Sequence, residues 1–153
     1  MRKPRVYLET TMFNYYFDSD RDAHASTVTL FQDILAMKYD GYTSIYVTDE
    51  LGNATEPKRS NMLDLISKCK IKVLPATNEI GRLADIYIQE GIIPTTHRYD
   101  SLHISCATVN DLEYIFSLNF KHINRIKTKA MVGNVNIRYG YKPIIIASPL
   151  EVV

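Results

Sequence analysis

Short apolar runs alternate with longer amphipathic stretches along the whole chain. Residues 5–9 form the first run, rich in β-forming residues and ending at Glu9, and Thr10-Thr11 breaks the pattern ahead of residues 12–17. After a polar segment over 18–22, Val28, Leu30, Phe31, Ile34, Leu35 and Met37 recur at helical spacing, and Asp40-Gly41 closes the helix. Residues 42–47 predict a second strand, after which Thr48 caps a short helix carrying Asp49 and Glu50 in its first turn. Pro57 sets a boundary, a helix through Met62, Leu63, Leu65 and Ile66 runs to Cys69, and residues 71–74 predict a third strand. Thr77 opens the next helix, which ends at Glu90-Gly91, and residues 94–99 form a loop. Asp100 starts a helix that buries Leu102, Ile104, Cys106, Ala107 and Val109 and ends at Asn110-Asp111. Residues 113–117 and 142–147 predict the fourth and fifth strands, with a polar loop over 118–122 and a basic helix over 123–139, interrupted near Gly133, between them.

Strands that alternate with helices of ten or more residues predict a parallel or mostly parallel sheet of about five strands, covered on both faces. In an open sheet of this kind chemistry gathers beyond the carboxyl ends of the strands. A length of 153 residues with 46% from the hydrophobic set supports one domain over 1–153 with its own core. No apolar run is long enough to span a membrane, and two cysteines are too few for a disulfide framework, so a cytoplasmic location is expected. The net charge of +1 conceals segregation: residues 119–153 carry 6 Lys/Arg against 1 Asp/Glu, leaving 12 against 16 in residues 1–118. Such a division suits a carboxylate site beside a surface that attracts polyanions, and equally a solvated basic helix face.

Dinucleotide, phosphate-loop and serine-hydrolase signatures are absent. Oxygen ligands instead occupy matching places: Glu9 after strand one, Glu50 after strand two, Asp100 at a helix start and Asn119 after strand four. In a parallel sheet they converge, and three carboxylates with a carboxamide are hard donors suited to Mg²⁺ or Mn²⁺. Each also has a bland explanation, since Glu9, Glu50 and Asp100 suit helix starts and Asn119 suits a loop. Glu9 is the hardest to explain that way, because an acid directly after an apolar central strand is costly unless paired or metal-bound. His103 lies one turn after Asp100 and reads first as a hydrogen-bonded structural residue. His122, between Lys121 and Arg125 and followed by Lys127 and Lys129, is placed for phosphate contact.

The segments Val6-Tyr7-Leu8-Glu9-Thr10-Thr11, Val47-Thr48-Asp49-Glu50-Leu51, Asp100-Ser101-Leu102-His103-Ile104-Ser105-Cys106-Ala107 and Phe116-Ser117-Leu118-Asn119-Phe120-Lys121-His122-Ile123 resemble the successive motifs of PIN-domain proteins, including VapC-like toxins. The resemblance covers essentially the whole chain. It implies a three-layer α/β/α fold, a Mg²⁺- or Mn²⁺-dependent cleft that hydrolyses single-stranded RNA, a homodimer and, for toxins, a small antitoxin partner. By that resemblance Glu9, Glu50 and Asp100 are the metal-binding and catalytic acids, with Asn119 at a fourth catalytic position. Thr10, Thr11, Lys121, His122 and Arg125 then stand on the substrate side. The chain departs from the family pattern by carrying Glu rather than Asp at position 9 and a neutral Asn at 119. Those departures leave a second reading, a PIN-like module that binds RNA or protein with weak or no cleavage.

Overall fold

The computed structural model describes residues 2–152. Five strands, β1 (Arg5–Leu8), β2 (Asp40–Ser44), β3 (Lys72–Leu74), β4 (Tyr114–Phe116) and β5 (Ile145–Ala147), form one sheet in the order β3-β2-β1-β4-β5. Every neighbouring pair is parallel, with Tyr7 opposite Tyr42 on one side and Leu8 opposite Phe116 on the other. The chain winds outward from β1 to β3, returns to place β4 beside β1, and continues to β5. Helices α1 (Thr10–Tyr16), α2 (His24–Leu35), α3 (Ile45–Leu51) and α4 (Lys58–Lys68) fill the outward connections and pack on one another. Helices α5 (Asn78–Gln89), α6 (Arg98–Val109) and α7 (Ile126–Arg138) fill the return connections. Right-handed crossovers send these two groups to opposite faces, giving the three layers expected.

The central strands are the core: Val6, Tyr7, Leu8, Ile115 and Phe116 are fully buried, whereas edge residues Val73 and Ile145 are exposed. Helix α6 is buried on every side from Ser101 to Thr108, so it lacks the apolar stripe of a surface helix. Its polar side chains are satisfied internally: Ser101 and Ser105 donate to the α5 carbonyls of Ala84 (2.7 Å) and Ile80 (2.6 Å).

Several boundaries differ from the sequence expectation. Thr10-Thr11 ends the strand pattern as expected and also opens α1, whose N-cap is the extended Glu9. The second strand ends at Ser44, whose hydroxyl caps α3 by accepting from the Val47 amide, so Thr48 is not the cap and Glu50 is the sixth residue of the helix. Tyr46 and Val47 are apolar because α3 buries them, and a short apolar run does not distinguish a strand from a buried helical turn. Asp40-Gly41 belongs to β2; α2 stops instead at Ala36, followed by Met37 in the left-handed region. The helix expected from Asp100 begins two residues earlier, after a 3-10 turn over Thr95–His97. Helix α7 starts only at Ile126 and passes Gly133 without interruption, because the Asn119 carbonyl first holds the amides of Ile123 (3.1 Å) and Asn124 (2.8 Å) in a loop. The first, third, fourth and fifth strands are shorter than expected by one to three residues.

Five helices end in one motif, a left-handed residue followed by an amide that reaches back a full turn. At Lys70 (φ 55°) the next amide, of Ile71, donates to the Ile66 carbonyl at 2.9 Å. Lysine bears a Cβ penalty there that glycine avoids, so Lys70→Gly should raise stability by about 0.5–1 kcal/mol. A urea midpoint that fell instead would show that Lys70 contributes contacts outweighing its backbone cost.

Candidate metal centre

The crevice between β1 and β4, where the chain reverses its winding, collects the polar residues that end the central strands. Glu9 is 2% exposed, and its amide donates to the Phe116 carbonyl at 3.1 Å, so β4 fixes its position. Its carboxylate makes no capping bond to α1, which removes the bland explanation for an acid here. Instead Oε1 accepts from the hydroxyls of Thr11 (2.6 Å) and Ser117 (2.7 Å). Thr11 in turn accepts from the Leu118 amide at 2.8 Å, tying α1 to the end of β4. Burial pushes the Glu9 carboxyl above its usual range, and Glu50 adds to the shift; His103 and the two hydroxyls oppose it without cancelling it.

Helix α3 brings Glu50 to the same crevice. Its Oε1 accepts from the Thr10 hydroxyl (2.5 Å) and from His103 Nε2 (2.6 Å). Burial works against its ionisation, but the hydrogen bond and electrostatic attraction of His103, with the Thr10 hydroxyl, outweigh it and hold the carboxyl below the ordinary value. Ligand atoms of Glu9, Glu50 and His103 all lie within 4.8 Å of one another. In each glutamate Oε1 takes both hydroxyl or imidazole donors, leaving Oε2 with no hydrogen bond to the described residues. Two uncommitted carboxylate oxygens, one on a buried acid with no cationic side chain bonded to it, fit a hard divalent cation.

Asp100 lies outside this tight group. Its Oδ2 is bonded to His122 Nδ1 at 2.9 Å, and both side chains are largely buried. The His122 backbone is clamped as well, its amide donating to Asn119 Oδ1 (3.0 Å) and its carbonyl accepting from Thr128 (2.7 Å). Asn119 therefore spends its carboxamide oxygen on the loop that carries His122. The His97 ring lies 4.1 Å from that of His122, and Lys121 and Arg125 are exposed on either side. From Thr11 and Asn119 an open groove of about 430 Å³ leads past Lys121 and Phe120 to Arg21 and Lys58.

Sequence reasoning located Glu9, Glu50 and Thr10 but missed Ser117, Ser44 and Tyr7, which complete the crevice. The available signal was partial: Ser117 closes the expected fourth strand as Glu9 closes the first, and Tyr7 carries a hydroxyl into an apolar strand, whereas Ser44 lies inside the expected second strand and ends it only in the structure.

The architecture is the three-layer PIN-like α/β/α fold. No family model matches the sequence, and no curated protein does. Among solved structures, the fold is similar to that of VapBC2 from Rickettsia felis bound to a DNA fragment from their promoter. That alignment has 16% identity and a TM-score of 0.57, and covers 94% of this chain and 98% of the other. It is similar also to VapC20 from Mycobacterium tuberculosis, a toxin that cleaves the sarcin-ricin loop. Here the identity is 10% and the TM-score 0.59, over 76% of this chain and 92% of the other. At these identities the likeness is one of fold. Among the described residues no helix is long and apolar enough to cross a membrane.

Proposed function

We propose that this chain is a PIN-domain endoribonuclease of the VapC type, hydrolysing phosphodiester bonds of single-stranded RNA with Mg²⁺ or Mn²⁺. The observation that carries the reading is the pair of glutamates whose Oε2 atoms have no donor among the described residues while each Oε1 accepts two bonds. Glu9 and Glu50 would hold the cation, and Asp100, outside their 4.8 Å group, would stand beside it with the oxygen that His122 does not occupy. A divalent ion there supplies Lewis acidity, lowering the pKa of water and offsetting phosphodiester charge. The chain's own residues do the rest. Thr10, Thr11 and Ser117 fix the carboxylates, and Lys121, Arg125 and His122 bind backbone phosphates. Lys58 extends that basic track along the groove, in which Arg21 is paired with Asp18 at 3.0 Å and the exposed Phe120 ring offers a face for an unpaired base. Asn119 acts through the loop, holding His122.

Likeness in fold to a toxin that cleaves an RNA loop supports the substrate class. With the toxin reading go a small antitoxin partner, a homodimer and a cytoplasmic location. The neutral Asn119 and the longer Glu9 favour the alternative of a binding module that cuts weakly or not at all.

Cleavage of a labelled single-stranded RNA, followed with Mg²⁺, with Mn²⁺ and with excess chelator, separates the readings. Cleavage that requires the metal supports the nuclease. RNA retained on the protein but intact under both metals would favour the binding module.

A further inference from the structure

His103 sits within metal-binding distance of both glutamates, yet its hydrogen bonds assign it different work. The ring is fully buried and both nitrogens are engaged, Nε2 by Glu50 Oε1 at 2.6 Å and Nδ1 by the Tyr7 hydroxyl at 2.7 Å. Binding an ion through Nε2 would require breaking the bond to Glu50. From Tyr7 the chain of bonds continues to Ser44 Oγ, again at 2.7 Å, and Ser44 Oγ accepts from the Val47 amide as the N-cap of α3.

One end of this chain of bonds is fixed. An ionised Glu50 only accepts, so His103 Nε2 carries a hydrogen and donates it. Nδ1 shares the next bond with the Tyr7 hydroxyl, whose oxygen meets Ser44 Oγ beyond it. Each side-chain polar atom from Ser44 Oγ to Glu50 Oε1 thus has a partner. The path is also closed: Ser44 caps α3, which carries Glu50, and the bonds return from Glu50 through α6 and β1 to Ser44.

We infer that Tyr7 and His103 are positioning residues that lock the Glu50 carboxylate through this ring of bonds, so that Oε2 is aimed for the cation before it arrives. The inference rests on the reading that Glu50 holds the metal. Outer partners of this kind alter metal affinity by about 10–100-fold when removed.

The experiment compares Tyr7→Phe with Tyr87→Phe and Glu50→Gln in the full chain, reading Mn²⁺ affinity from the electron paramagnetic resonance signal of free Mn²⁺ and stability from thermal melts. Tyr87 is an internal control, since its hydroxyl is equally buried, bonds Asn136 (2.5 Å) and Thr108 (3.4 Å), and lies outside the crevice. Both tyrosine variants should lower Tm, but only Tyr7→Phe should weaken Mn²⁺ binding, by about tenfold. Equal Mn²⁺ affinity in Tyr7→Phe and the wild type, with binding lost in Glu50→Gln, overturns the positioning role while leaving the metal reading intact. Equal weakening in both tyrosine variants also overturns it, as a general consequence of lost stability. Absence of Mn²⁺ binding by the wild type overturns the metal reading and this inference together.

Discussion

Glu50→Gln should fold normally and lose RNA cleavage by about 10²–10³-fold, the range for removing one preorganised charge-stabilising group from a reacting centre. The amide oxygen of glutamine still accepts from Thr10 and His103, so the two bonds at 2.5 and 2.6 Å survive and the ring through Tyr7 stays closed. What disappears is the negative charge and the free lone pairs of Oε2. RNA binding should persist, because the basic groups along the track, Lys121, Arg125 and Lys58, are untouched. The loss should therefore fall on kcat more than on KM. Measured rates at saturating Mn²⁺, with a melting curve for each protein, check both parts. A Glu50→Gln protein that cuts at the wild-type rate would place the chemistry outside this crevice.

Layer order, strand number and the polarity of the sheet were legible in the sequence because they follow from alternation, which survives errors of several residues at each boundary. Boundaries were less legible where tertiary burial overrode local pattern. Tyr46 and Val47 look like strand residues and are helical, since what makes them apolar is the core they enter and not the backbone they adopt. Gly133 looked like an interruption, yet α7 accommodates it. In the site, Glu9 was legible because a buried acid after an apolar strand needs a reason, and Glu50 because it repeats that placement after the next strand. The roles of His103 and Asn119 were not. A histidine in an apolar helix suggests burial and a bond, but its partners lie 53 and 96 residues away in sequence. Asn119 offered oxygen in a motif position, and only the loop geometry shows that oxygen accepting from His122.

The two glutamates carry opposite pH signatures, which gives the strongest test on stability. The folded pKa of Glu9 lies above the ordinary value of 4.5, so between those two values the native state binds more protons than the unfolded chain and stability rises as pH falls through the window. Glu50 is held below 4.5, so its contribution is present above that value and is lost as pH falls through its folded pKa. Without metal, ionised Glu9 is therefore a cost to the fold at neutral pH. Glu9→Gln keeps an acceptor for Thr11 and Ser117 while removing the buried charge, and should raise Tm at pH 7 by roughly 2–4 °C, equivalent to about 1 kcal/mol for a domain of this size. It should also flatten the pH dependence above 4.5 while leaving the acid limb due to Glu50. Added Mn²⁺ should reverse the order of stability, because an ion that binds only the native state stabilises the wild type in proportion to the logarithm of its concentration over Kd, and the variant lacks the charge that holds it. Melts of both proteins at pH 5 and 7, with and without Mn²⁺, read all of these terms. A Glu9→Gln protein less stable than the wild type in chelator would mean that the hydroxyls of Thr11 and Ser117 already compensate the buried carboxylate, and that the fold does not need a cation to offset it.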